Sequence, residues 1–255
     1  MQKKNPLVLL VSAVALMAVS GCGNDITIDG GATPTSTSTP AANTFQLDDF
    51  GNGSTGCSTW CNSSGYFNAA IGFGNSGVPT VGHSFPTTNL IGLPSGTTQY
   101  LRSTVAATQA YDGFYAPFLP YGWYPSASGV YDVTQSGTYD AITFYIKGNS
   151  AGTGHTYSGG DVAVSLILNT YETEASNGWA LDSYSYDVTS SISATSTTWT
   201  QVIVPFSSLV ANGGSASTPN LAHTTSIGFK LVVNGAVTGT INPSIDLSSV
   251  FLMHQ

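Results

Sequence analysis

The side chains best equipped for chemistry in this sequence are aromatic. The densest group is the stretch YDGFYAPFLPYGWY, which runs from Tyr111 to Tyr124. Sugar rings carry patches of C–H that stack on aromatic planes, and Tyr and Trp add a polar tip to an apolar face. Phe114 and Phe118 alternate with smaller groups and read as core. Tyr115, Tyr121, Trp123 and Tyr124 read as ligand-binding platforms, joined by Tyr145 on the polar side of its own strand. The alternative for any one ring is packing beneath a long loop. Three cations, Arg102, Lys147 and Lys230, all fall opposite the apolar stripes of their strands. They can line a cleft, which places Arg102 and Lys147 in the ligand-binding set, or pair with surface acids, an interaction usually worth about 0–1 kcal/mol.

Catalytic signatures are poor. His83, His155, His223 and His254 are scattered without metal-ligand spacing, and the phosphate-loop pattern is missing. A glycosidase needs two placed carboxylates flanking the scissile bond. Glu172 and Glu174 stand two apart, so on a strand they would share a side and make no facing pair. The sequence therefore reads as non-enzymatic. Charge narrows the partners further. The net charge is −8, and only 7% of the 255 residues are charged. Nucleic acid needs clustered cations to neutralise phosphate, so it is excluded as a partner.

The N-terminus has its own logic. Lys3 and Lys4 precede an apolar run from Leu7 to Val19, broken only by Ser12, and then Ser20 and Gly21 lead to Cys22. A positive start, an apolar centre of about 7–15 residues and a small-residue cleavage site make a secretory signal. The run is shorter than the roughly 20 residues of a membrane-spanning helix, which disfavours the alternative of an uncleaved anchor. Processing would remove Lys3 and Lys4 and leave three cations against 13 acids. Export also suits Cys57 and Cys61, an even pair for which a disulfide is favoured over a zinc site. From Cys22 to Thr44 the chain is rich in Thr, Ser, Pro and Gly, the composition of a flexible tether. The domain itself spans residues 45–255.

To position the candidate residues, the chain offers short runs of β-type composition separated by Gly, Asn, Ser and Pro. Strands are expected at 45–50, 99–105, 111–118, 139–147, 161–168, 182–188, 199–206, 226–233 and 245–252. Ile142, Phe144 and Ile146 alternate with Thr143, Tyr145 and Lys147, and similar stripes run through Val162–Leu168, Val202–Phe206 and Ile227–Val233. Period-two stripes with one polar side mark antiparallel sheets packed on one face. Many such strands predict an all-β antiparallel sandwich or barrel. Residues 57–95 are expected to form long loops with one irregular strand, and together with 117–130 are where a site is expected.

Two resemblances sharpen this reading. Val19-Ser-Gly-Cys22 resembles the bacterial lipobox, which implies cleavage after Gly21 and a lipid on Cys22. Such chains bind a bilayer by about 0.8 kcal/mol per buried methylene. Gly23, in place of an aspartate that signals inner-membrane retention, implies the outer membrane. In the domain, FQLDDF from Phe45, YDAITFYIKG from Tyr139, WTQVIVPFSSL from Trp199, IGFKL from Ile227 and IDLSSV from Ile245 follow one another in an ordered pattern. That pattern resembles galactose-binding-domain-like jelly rolls, with family 11-type carbohydrate-binding modules nearest. It implies a jelly-roll sandwich over roughly 45–252 and carbohydrate as partner. It also implies a structural Ca²⁺ held by Asp48, Asp49 and Asp246, although Gly51 and Ser248-Ser249 depart from the family's acidic motifs. The expected function is a membrane-anchored lipoprotein that binds carbohydrate by aromatic stacking. The alternatives are a structural or adhesive envelope protein with no sugar site, or a polysaccharide-degrading enzyme.

Overall fold

The computed structural model describes residues 44–48, 50, 71–74, 79–117, 130–135, 137–149, 162–172, 181–192 and 198–255. All of them belong to the unit Ser36–Gln255. Cys22, the tether before Thr44, Asp49, Cys57, Cys61, Tyr121, Trp123 and Tyr124 lie outside the described residues.

The described residues form two six-stranded antiparallel sheets. Sheet A comprises β1 (Thr44–Asp48), β3 (Val81–Ser84), β4 (Leu101–Val105), β6 (Ala141–Asn149), β9 (Thr200–Pro205) and β12 (Ser244–Met253). Its order is β3-β4-β12-β6-β9, with β1 also paired to β12. Sheet B comprises β2 (Ile71–Phe73), β5 (Gly113–Pro117), β7 (Val162–Tyr171), β8 (Leu181–Asp187), β10 (Val210–Ala211) and β11 (Thr224–Val233). Its order is β10-β8-β7-β11-β5-β2. The chain passes repeatedly from one sheet to the other, the jelly-roll form of a sandwich. All nine strands expected from alternation are present. Two of the three additional strands, β2 and β3, lie in or beside the stretch read as loops, because three or four residues are too few to show a period.

The stripes meet between the sheets. Ile142, Phe144 and Ile146 from β6 face Ile227, Phe229 and Leu231 from β11 in one buried core. Phe144 and Phe229 touch edge to face, with centroids 4.7 Å apart at 77°. Close approach demands glycine at one point: a Cβ on Gly113 would collide with the Leu231 carbonyl oxygen. Gly113→Ala is expected to cost roughly 1–3 kcal/mol, as overpacking does. A denaturation midpoint equal to wild type would mean that β5 and β11 do not pair there.

β12 needs a special device. Ile245 and Leu247 face the core, and so do Val250 and Leu252, although alternation cannot carry an inward Leu247 to an inward Val250. Ser249 supplies the extra residue, with a φ of 52°. The pairing of β12 with β6 shifts register between Ser248 and Phe251. This is a β-bulge, in which one added residue restores the inward parity of the rest of the strand. On the other edge of β12, β4 pairs with Ser244–Leu247 and β1 with Val250–Met253.

Candidate functional site

Strand register assembles the site on the outer face of sheet A, away from the core. Arg102 pairs across to Asp246, and Asp246 to Lys147. One row of the sheet therefore carries cation, carboxylate and cation on β4, β12 and β6. Ser84 continues it on β3. Thr200 stands opposite Ile146, so Trp199 continues the row beyond Lys147. The next row places Ser248, Tyr145 and Gln201 side by side, with Tyr100 preceding β4.

Short side chains on β12 leave a trough that longer ones close. Tyr100 and Trp199 stand three strand spacings apart, about 14 Å. Yet their ring centroids lie 5.0 Å apart in a T-shaped contact. They meet above Asp246 and Ser248, which have no exposure. Arg102 donates from Nε to Asp246 Oδ1 at 2.7 Å and from Nη2 to Oδ2 at 2.8 Å. Nη2 also donates to the Tyr100 hydroxyl at 2.9 Å. Lys147 Nζ lies 3.6 Å from Asp246 Oδ2, 4.6 Å from the Trp199 ring and 5.1 Å from the Tyr100 ring. Cations over aromatic faces in a desolvated setting gain about 2 kcal/mol. The hydrogen bonds to Asp246 raise the Arg102 pKa. Burial, and after it the Asp246 charge, raises that of the Tyr100 phenol.

The β3–β4 loop walls the site. Trp199 Nε1 donates to the Asn89 carbonyl at 3.0 Å, so the loop reaches from one edge of the sheet to the vicinity of the other. Asn89 and Gly92 turn it with φ of 61° and 96°. Arg102 stays open, at 30% side-chain exposure, while the half-buried Tyr145 and the exposed Gln201 lie two and three strands away on the same face, with Gln201 Nε2 donating to Thr143 Oγ1 at 3.2 Å.

Sequence expectations fare unevenly here. Arg102, Lys147 and Tyr145 come together on one face, whereas Lys230 sits on sheet B over the Phe73 ring. Tyr115 is corrected. It lies opposite Phe114, as alternation requires, but the outer side of sheet B is itself covered there, and Tyr115 is only 4% exposed. Its hydroxyl donates to Ser226 Oγ at 3.1 Å and accepts from Asn169 Nδ2 at 3.3 Å. Burial pushes its phenol pKa well up. A ring so enclosed offers a sugar no face.

Asp246 is corrected as a calcium ligand. Its carboxylate is committed to two cations. Asp48 pairs with Val250, four residues along β12 and so roughly 13 Å from Asp246. Ligands of one Ca²⁺ each stand about 2.3–2.6 Å from the ion. Among the described residues, three or more His, Cys, Asp or Glu side chains nowhere gather as a metal site would require. The sequence reading missed Tyr100 and Trp199, although parity with Arg102 and Gln201 would have placed both on this face.

No family model matches the sequence, and no curated protein matches it. Among solved structures, the chain is similar to the family 30 carbohydrate-binding module of a cellulosomal cellulase from Clostridium thermocellum. The TM-score is 0.45 and the identity 15%, over 73% of this chain and 91% of that one. A carbohydrate-binding module of the β-sandwich superfamily, described for promiscuous specificity, gives a TM-score of 0.44 at 12% identity, over 84% of this chain and 64% of that one. The enzymatically active domain of bacteriophage CBA120 tailspike protein 4 gives 0.40 at 11%, over 83% of this chain and 21% of that one. The sandwich itself rests on the strand pairings above.

Proposed function

We propose that this chain is a non-catalytic glycan-binding lipoprotein, tethered to the bacterial envelope through lipid on Cys22. The observation that carries the reading is the outer face of sheet A, where Tyr145, Gln201 and Arg102 border a cluster of aromatic rings and fixed charges. Aromatic surface beside a few convergent polar groups is the chemistry of a sugar subsite. The reading as a binder, not an enzyme, is supported by Asp246. Among the described residues it is the only carboxylate of the cluster, and it is fully buried under two cations. Acid–base cleavage of a glycoside needs two accessible carboxylates. The lipid anchor is supported by the Val19-Ser-Gly-Cys22 sequence and the polar stretch after it.

The detergent-solubilised full chain is expected to bind on a glycan array, and Tyr145→Ala to weaken that binding by about tenfold or more. An array without signal would leave the alternative of a structural or adhesive envelope protein. In cells, Cys22→Ser should abolish incorporation of labelled fatty acid and leave unprocessed precursor. Undiminished label in that variant would refute the anchor.

A further inference from the structure

Resting on that reading of the outer face, we propose that the glycan it holds is acidic, with a sugar carboxylate received by Arg102 over the charge of Lys147. Among the described residues two cations share one carboxylate, so their cluster is net positive within a chain of net charge −8 that has only 5 Lys and Arg in all. Buried charge is costly when its compensation is incomplete, and a ligand anion completes it.

A lysine ammonium has three N–H groups. The Lys147 side chain is 7% exposed, and its nearest carboxylate oxygen stands at 3.6 Å, beyond the roughly 2.7–3.2 Å of an ordinary N–H···O bond. Its other partners among the described residues are the faces of Trp199 and Tyr100, which stabilise charge but offer no lone pair. Arg102 spends Nε and Nη2 on Asp246 and Tyr100, which leaves Nη1 without a partner among the described residues. Its side chain is the most exposed of the three charged ones, at 30%. The two N–H groups of Nη1 remain to donate to an anionic oxygen of the ligand. Asp246 opposes an incoming anion, but it is fully buried beneath the rings and outnumbered.

The test titrates the detergent-solubilised full chain with oligogalacturonate, oligoalginate, sulfated dextran, laminarin and neutral galactan by calorimetry, at low and high salt. A uronate is expected to bind at least about tenfold more tightly than either neutral glycan, with affinity falling as salt rises. Lys147→Met should remove most of that preference and Lys147→Arg should keep it. Lys230→Met, on the opposite sheet, should change nothing. Thermal unfolding of each variant separates lost binding from lost fold, and the wild-type preference and salt response need no variant at all. Equal or tighter binding of a neutral glycan overturns this inference and leaves the proposed function standing. Binding of sulfated dextran alone overturns the carboxylate assignment. No binding to any of the five overturns both.

Discussion

Asp246→Ala should cost about 3 kcal/mol of stability, because it strips the buried Lys147 and the partly buried Arg102 of the carboxylate between them. The figure sits at the low end of the range for broken buried pairs because Arg102, at 30% exposure, can turn partly to water. For a domain of this size the loss corresponds to a fall of roughly 6–12 °C in melting temperature. The companion variant makes the prediction sharp. Replacing Arg102, Lys147 and Asp246 together by Met, Met and Leu should restore most of the stability, since apolar replacement of a whole buried ionic group is often neutral or better. The triple variant should also lose glycan binding. Calorimetric melting of both chains checks this. A change below about 1 kcal/mol for Asp246→Ala would match an exposed pair and contradict the burial of this cluster.

Phe144→Ala should be at least as damaging, at about 3–5 kcal/mol. Phe144 has no exposure and lies on β6, inside sheet A, against Phe229 on β11, inside sheet B. Its removal therefore opens a cavity between the layers, where no loop can collapse to fill it. The edge-to-face contact adds roughly 0.5–1.5 kcal/mol beyond buried area. Phe144→Ala and Phe229→Ala combined should thus cost less than the sum of the two alone, because the second truncation removes a contact already lost. Urea denaturation of the two single variants and the double provides the cycle. Full additivity would mean that the rings do not touch.

What the sequence determined about this protein is local in origin. Strand identity follows from side-chain parity, and parity is written in neighbouring residues. Ile142, Phe144 and Ile146 must share a side, and Lys147 must take the other, whatever the rest of the chain does. The same rule correctly sets Arg102 opposite Leu101 and Val105, and Tyr115 opposite Phe114. The sandwich follows too, since so many one-sided strands can bury their stripes only by pairing sheet on sheet. Short strands such as β2 escaped because a period needs length to show.

Only the tertiary structure decided which strands are neighbours, and through that what the outward residues become. Arg102, Lys147 and Asp246 are far apart in the chain; they form one cluster because β12 inserts between β4 and β6. That insertion turns Asp246 from an expected calcium ligand into the centre of an ion pair, some four residues along the strand from where Asp48 pairs. The bulge at Ser249 was equally hidden, because a single residue with a positive φ is set by the strands on either side of it. Parity says which side of a sheet a ring such as Tyr115 takes, but not whether that side meets solvent. Exposure is a property of everything packed above a residue, and no window of neighbouring sequence contains it.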